Sequence, residues 1–187
     1  MKYVSIDIET TGLGHGCEMI EFAAVLEDSA QAADRPIASL PYINLFIQPQ
    51  RHDNSSWWEP EAARMHAESG LTKAWADALK SGAAVTERQL AQKLRAWLRD
   101  NGAATFTVNG LSESKIIVAG KNFSGFDARF LPEEIKQMFH HRVIDPGSAC
   151  INWNADSPPS LKDLAPLAPH EALADARAVI QALRSTY

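Results

Sequence analysis

Cysteine is scarce: Cys17 and Cys150 are the only two in 187 residues, too few for a disulfide framework. A chain of this length buries roughly 70% of its unfolded surface and needs no such framework to fold. Both cysteines therefore read as reduced thiols. Long apolar runs are also missing. The longest uncharged stretch, residues 36–50, carries Ser, Asn, Gln and prolines, so no segment is built to span a bilayer. The apolar stretch after Lys2 is cut by Asp7 and Glu9 before a secretory core can form, which predicts a cytoplasmic protein with no membrane partner. An excess of positive charge is absent as well. Eighteen Lys and Arg against 23 Asp and Glu give a net charge of −5, which argues against coating long nucleic acid by neutralising many phosphates. An enzyme that grips one end stays open, because bound metal ions can supply the positive charge while the protein supplies carboxylates. No repeat, low-complexity tract or linker divides the chain, so one domain over residues 1–187 is expected.

What is present reads as a mixed α/β chain. Residues 3–9 alternate, with Val4, Ile6 and Ile8 on one face and Ser5, Asp7 and Glu9 on the other, the period of a strand. Thr10, Thr11 and Gly12 turn the chain, and apolar runs at 19–26 and 42–47 continue an antiparallel meander. Residues 60–66 form a short helical segment, and 85–98 a stronger one with Thr86 as its N-cap. A hairpin or loop at 105–110 leads into a buried strand at 116–119. Beyond Phe126 the pattern is helical, with Pro132 starting a new segment, followed by a short strand at 142–145. The final helix, 172–183, has a core stripe of Leu173, Ala176, Ile180 and Leu183. A meander followed by alternating helices and strands implies a mixed sheet with helices packed on it.

Acids stand where a core should be. The strand bearing Asp7 and Glu9 is short and otherwise apolar, hence central, and two like charges on one buried face require protonation or cations. Taken alone, the D-x-E pattern fits solvated acids at a strand end equally well. Asp127 heads an apolar helical stripe, where an acid also favours the helix dipole. Asp175 lies among small residues of the last helix. His170 precedes it by five positions, after two prolines, on a segment that lets the imidazole swing.

As an ordered set these residues resemble a known family. Asp7-Ile8-Glu9-Thr10-Thr11-Gly12 is similar to the first motif of the DEDDh 3'-to-5' exonucleases, the superfamily of proofreading exonucleases and oligoribonuclease. Asn122, Phe126, Asp127, Phe130 and Leu131 are similar to the second, and His170 with Asp175 matches the H-x-x-x-x-D third motif. The resemblance implies a ribonuclease H-like α/β fold, a five-stranded mixed sheet flanked by helices. It also implies two divalent ions, Mg²⁺ or Mn²⁺, held by Asp7, Glu9, Asp127 and Asp175, with Asp7 shared and His170 taking the proton of the attacking water. Hard oxygen donors suit those metals. Thr10, Gly12, Leu13, His66, Asn122 and Phe126 stand where the family contacts substrate, and Leu13 where it wedges an apolar side chain against terminal bases.

The substrate implied is a single-stranded DNA or RNA 3' end. Residues 65–72 and 139–145 are similar to oligoribonuclease segments and favour short RNA. Against that, His141 stands where oligoribonuclease has tyrosine, and Phe123 where it has a small polar residue. Trp57 and Trp58 offer base-stacking surfaces or simple loop packing; Trp75 and Trp97 read as core, and Trp153 carries no signal. The alternatives are a noncatalytic nucleic-acid-binding relative and an interaction protein with solvated acids. A homodimer, or a polymerase or helicase partner, is compatible with the family but not readable from these residues.

Overall fold

A computed structural model describes residues 1–50, 58–104, 114–151, 157, 159–165 and 170–187. Five strands form one mixed sheet: β1 (Lys2–Thr10), β2 (Met19–Asp28), β3 (Tyr42–Phe46), β4 (Ile116–Ala119) and β5 (Phe139–Ile144), in the order β3-β2-β1-β4-β5. The first three pair antiparallel as a meander, and β4 and β5 join in parallel. Helices flank the sheet, and the whole is the α/β, ribonuclease H-like arrangement expected. β1 is the middle strand and is covered on both faces. Val4, Ile6 and Ile8 enter a core with Phe22, Leu90, Leu94 and Leu98, while Tyr3 joins Ala176, Val179 and Ile180 on the other side.

The helices are α1 (Pro60–Ser69), α2 (Leu71–Ser81), α3 (Glu87–Asp100), α4 (Asp127–Phe130), α5 (Glu133–Lys136), α6 (Pro146–Ala149), α7 (Leu161–Leu164) and α8 (Ala172–Leu183). α8 and β4 have the limits expected from sequence. Thr86 caps α3, its hydroxyl accepting from the Gln89 N–H in a capping box, but Val85 lies outside that helix and bridges Ile47. α1 runs one turn beyond His66, to a left-handed Gly70. α2, which sequence reasoning missed, follows at once and buries Leu71, Trp75 and Ala78. β5 starts three residues earlier than expected. Phe139 is buried against Phe123, so the strand's first residue is a core residue. Pro132 does start a new segment, as the N-cap of α5. The hairpin at 105–110, together with Trp57 and Trp153, lies outside the described residues. Cys17 and Cys150 are both free, and no helix among the described residues is long and apolar enough to cross a membrane.

Candidate active site

Close approaches of small residues bring three elements to one end of β1. Ser5 donates its hydroxyl to the Ala176 carbonyl at 2.8 Å, and fully buried Ala172 and Ala176 let α8 settle on the strand. At the end of β4, a Cβ on Gly120 would lie 2.9 Å from the Ile6 carbonyl oxygen, so glycine brings the next loop against β1. That loop is then fixed by Asn122 in a left-handed conformation, φ 54°. Its N–H donates to Asp145 Oδ2 at 2.8 Å, and its carbonyl accepts from the Gly125 and Phe126 N–H groups. The loop delivers Asp127, buried, as the first residue of α4.

The result is a cluster of acids. One carboxylate oxygen each of Asp7, Glu9 and Asp175 lies within 4.8 Å of the others. Asp127 lies outside this tight trio, with the Ile8 and Asp127 backbone N–H groups bonded to its carboxylate. Burial, then Asp127, Asp175 and Glu9, push the Asp7 carboxyl well above the usual range. Burial followed by the fields of Asp175 and Glu21 pushes Glu9 up to about 8. Asp127 is pushed up to about 7 by burial, opposed by its backbone hydrogen bonds and Lys121. Burial raises Asp175 against the pull of His170 and Lys121. Crowded carboxylates of this kind accept a hard divalent cation readily, because it replaces mutual repulsion with ligation. The donor set therefore fits a divalent metal.

These residues line a cleft of about 560 Å³. His170, exposed and left-handed at φ 53°, stands on its wall just before α8. A family model described as Exonuclease (RNase_T) matches residues 4–183, which contain every acid of the cluster and His170. The chain belongs to this exonuclease family. No curated protein matches it. The cleft is thus the candidate active site of an exonuclease, and the acid cluster is consistent with the divalent metals the family generally uses.

The six residues that the resemblance sets against substrate all line the cleft: Thr10, Gly12, Leu13, His66, Asn122 and Phe126. Their side chains are differently engaged. The Thr10 hydroxyl donates to the Gly12 carbonyl at 2.8 Å, closing the turn. His66 is buried with Nε2 2.9 Å from the Thr10 carbonyl and 3.7 Å from Glu9 Oε2; a carbonyl oxygen only accepts, so Nε2 is the donor, and burial lowers the pKa of the ring. Phe126 packs on Phe130 and beneath the Arg129 guanidinium. Trp58 meets His66 and Trp75 edge-on at 5.9 and 5.8 Å, the packing role. Trp75 is buried, and Trp97 packs on the main core. Phe123 and His141 line a separate groove beside β5.

Sequence reasoning missed three residues that line this cleft and one beside it. Lys121 and Lys162 line the cleft and offer cations to an anionic substrate. Glu59 borders it from the start of α1. Glu21 lies directly across from Glu9 in the β1–β2 register, 2% exposed, and accepts the first N–H of α8, that of Ala172, at 3.0 Å. A single acid inside the apolar run 19–26 was the available signal for Glu21. No sequence signal marked the other three.

Proposed function

We propose that the protein is a DEDDh-type, metal-dependent 3'-to-5' exonuclease that releases nucleoside 5'-monophosphates from single-stranded DNA or RNA ends. The convergence of Asp7, Glu9 and Asp175 at the end of β1 carries this reading, with Asp127 on the adjoining loop and His170 on the cleft wall. Two divalent ions, Mg²⁺ or Mn²⁺, would be held by Asp7, Glu9, Asp127 and Asp175 and would supply Lewis acidity for phosphodiester hydrolysis. His170 would take a proton from the attacking water at a ring nitrogen. A neutral imidazole carries a lone pair that accepts a proton, which suits it to a general base, and its exposed position before α8 gives it room to reach the water. Lys121 and Lys162 attract the phosphate chain into an otherwise acidic cleft. Leu13 and Phe126 offer apolar surface to the bases.

The size of the cleft suits one or two nucleotides rather than a duplex, and the net charge of −5 supplies no wide phosphate grip. Unpaired ends, which avoid the few kcal/mol needed to unstack a paired terminus, are the substrate this site favours. A noncatalytic binder would have no use for a full set of four acids and a histidine.

The test is a set of matched oligonucleotides with Mn²⁺. Stepwise shortening of a 5'-labelled strand, hindrance by a 3' phosphate and indifference to a 5' block are expected. Cutting of a circular single strand, or mononucleotide release from the 5' end, would contradict it.

A further inference from the structure

Four large apolar side chains stand exposed among the described residues, Met1, Leu13, Tyr42 and Tyr187, and of these only Leu13 lines the cleft. It is 68% exposed, on a turn between β1 and β2 that carries Gly12, Gly14 and Gly16. Such a sequence is conformationally loose by itself. Here it is clamped by Glu59, the residue before α1. One carboxylate oxygen, Oε2, accepts the Leu13 N–H at 3.0 Å, and the other, Oε1, accepts the Gly14 N–H at 2.9 Å. The Cys17 thiol donates to Oε1 at 3.5 Å, and the Glu59 N–H donates to the Thr11 carbonyl at 2.9 Å.

The glycines on either side of Leu13 make room for this clamp. A Cβ on Gly12 would lie 2.5 Å from Glu59 Cγ and Cδ, and one on Gly14 would lie 2.8 Å from Oε1. Glu59 is also the N-cap residue of α1, yet its side chain makes no cap hydrogen bond; both of its oxygens are given to the turn. Those two N–H groups hold its carboxyl below the usual range. An acid at the mouth of a cleft for an anionic chain opposes binding unless its charge is committed elsewhere, and here it is committed to two amides. The turn and α1, which also contributes Met65 and His66 to the cleft, therefore form one rigid wall with Leu13 at its edge.

We propose that Glu59 is a positioning residue for substrate. By fixing the Leu13 backbone it holds in place the side chain that the family resemblance sets between the terminal bases. The inference rests on the exonuclease reading above. It also makes a separate statement: the clamp matters for substrates with two adjacent bases and much less for those with one.

The test compares a dinucleotide with the 4-nitrophenyl ester of a nucleoside 5'-monophosphate, which presents the same phosphodiester and a single base. Wild type, E59A, E59Q, L13A and the E59A/L13A double variant are assayed with Mn²⁺. The ratio of kcat/KM on the dinucleotide to that on the ester is expected to fall about tenfold or more in E59A and L13A, chiefly through KM on the dinucleotide. It should fall less in E59Q, whose amide oxygen still accepts one of the two N–H groups. The double variant should be no worse than L13A, because Glu59 acts through that side chain. If E59A does not fold, E59Q carries the comparison, with a ratio between those of wild type and L13A. Equal losses on both substrates, an unchanged ratio, or additive losses in the double variant would overturn the proposal. A wild-type protein inactive on both substrates would instead overturn the exonuclease reading, and this proposal with it.

Discussion

Replacing Asp7 with asparagine should stabilise the metal-free protein while destroying its activity. Asp7 lies against Glu9 and Asp175 with carboxylate oxygens within 4.8 Å, and no cation among the described residues forms an ion pair with it. One fully ionised pair at that distance repels by about 3 to 4 kcal/mol at an effective dielectric constant of 20. At pH 8 Glu9, pushed up to about 8, is in part protonated, so relief in D7N should be smaller, about 1 to 3 kcal/mol. For a protein of this size that corresponds to a melting temperature about 3 to 10 °C higher. The side chain keeps its shape, so packing is spared. Scanning calorimetry in EDTA at pH 8 measures the gain. The same scan with Mg²⁺ or Mn²⁺ should raise the melting temperature of the wild type by preferential binding to the folded state, and that of D7N far less. A D7N protein that melts at or below the wild type in EDTA, or that responds equally to the metal, would refute the reasoning.

Stability of the metal-free protein should depend on pH in the direction opposite to that of a salt-bridged acid. Glu9 is raised from 4.5 to about 8 and Asp127 from 3.8 to about 7. The folded state therefore binds more protons than the unfolded state between about pH 4 and 8, and stability falls as pH rises through that window; a melting temperature that climbs from pH 5 to 8 in EDTA would contradict this. H170A should lower turnover by about 10² to 10⁴, with metal-induced stabilisation retained; near-normal rates in the folded variant would remove His170 from the chemistry. R184A removes the guanidinium that holds Glu27 at 2.6 to 2.7 Å, where Glu27 is fully buried. It should cost about 3 to 5 kcal/mol, read as a melting temperature roughly 10 °C lower, and a loss below 1 kcal/mol would show that the pair is not needed.

Much of this was legible because it is written locally. β1 announces itself by alternation, α8 by its alanine-rich stripe and α3 by its cap. The three motifs are legible for the same reason: Asp7 and Glu9 share a strand face, and His170 and Asp175 keep a fixed spacing around a helix start. α2 was hidden because its N-cap is Gly70 in a left-handed turn, which offers no side chain to signal a helix. Val85 misled because apolar residues at the end of a bridge and at the head of a helix look alike. The start of β5 was missed because Phe139 sits between a helix and a strand, with burial decided by Phe123 sixteen residues before it in the chain. The contacts of Glu21 and Glu59 were illegible for a different reason. Their partners are backbone amides 151 and 45 to 46 residues away, and no spacing rule connects a carboxylate to an amide that only the tertiary fold brings near.

The central claim is that the acids at the end of β1 hydrolyse phosphodiesters with bound divalent metal. It is tested most directly by incubating a single-stranded oligonucleotide with the protein and Mn²⁺ and identifying the released products by chromatography. Parallel reactions contain EDTA or the D175N variant. Nucleoside 5'-monophosphates are expected from the wild type with Mn²⁺, none in EDTA, and recovery when the metal is restored, while D175N releases none above background. Nucleoside 3'-monophosphates, release that persists in EDTA, or wild-type rates from folded D175N would contradict it.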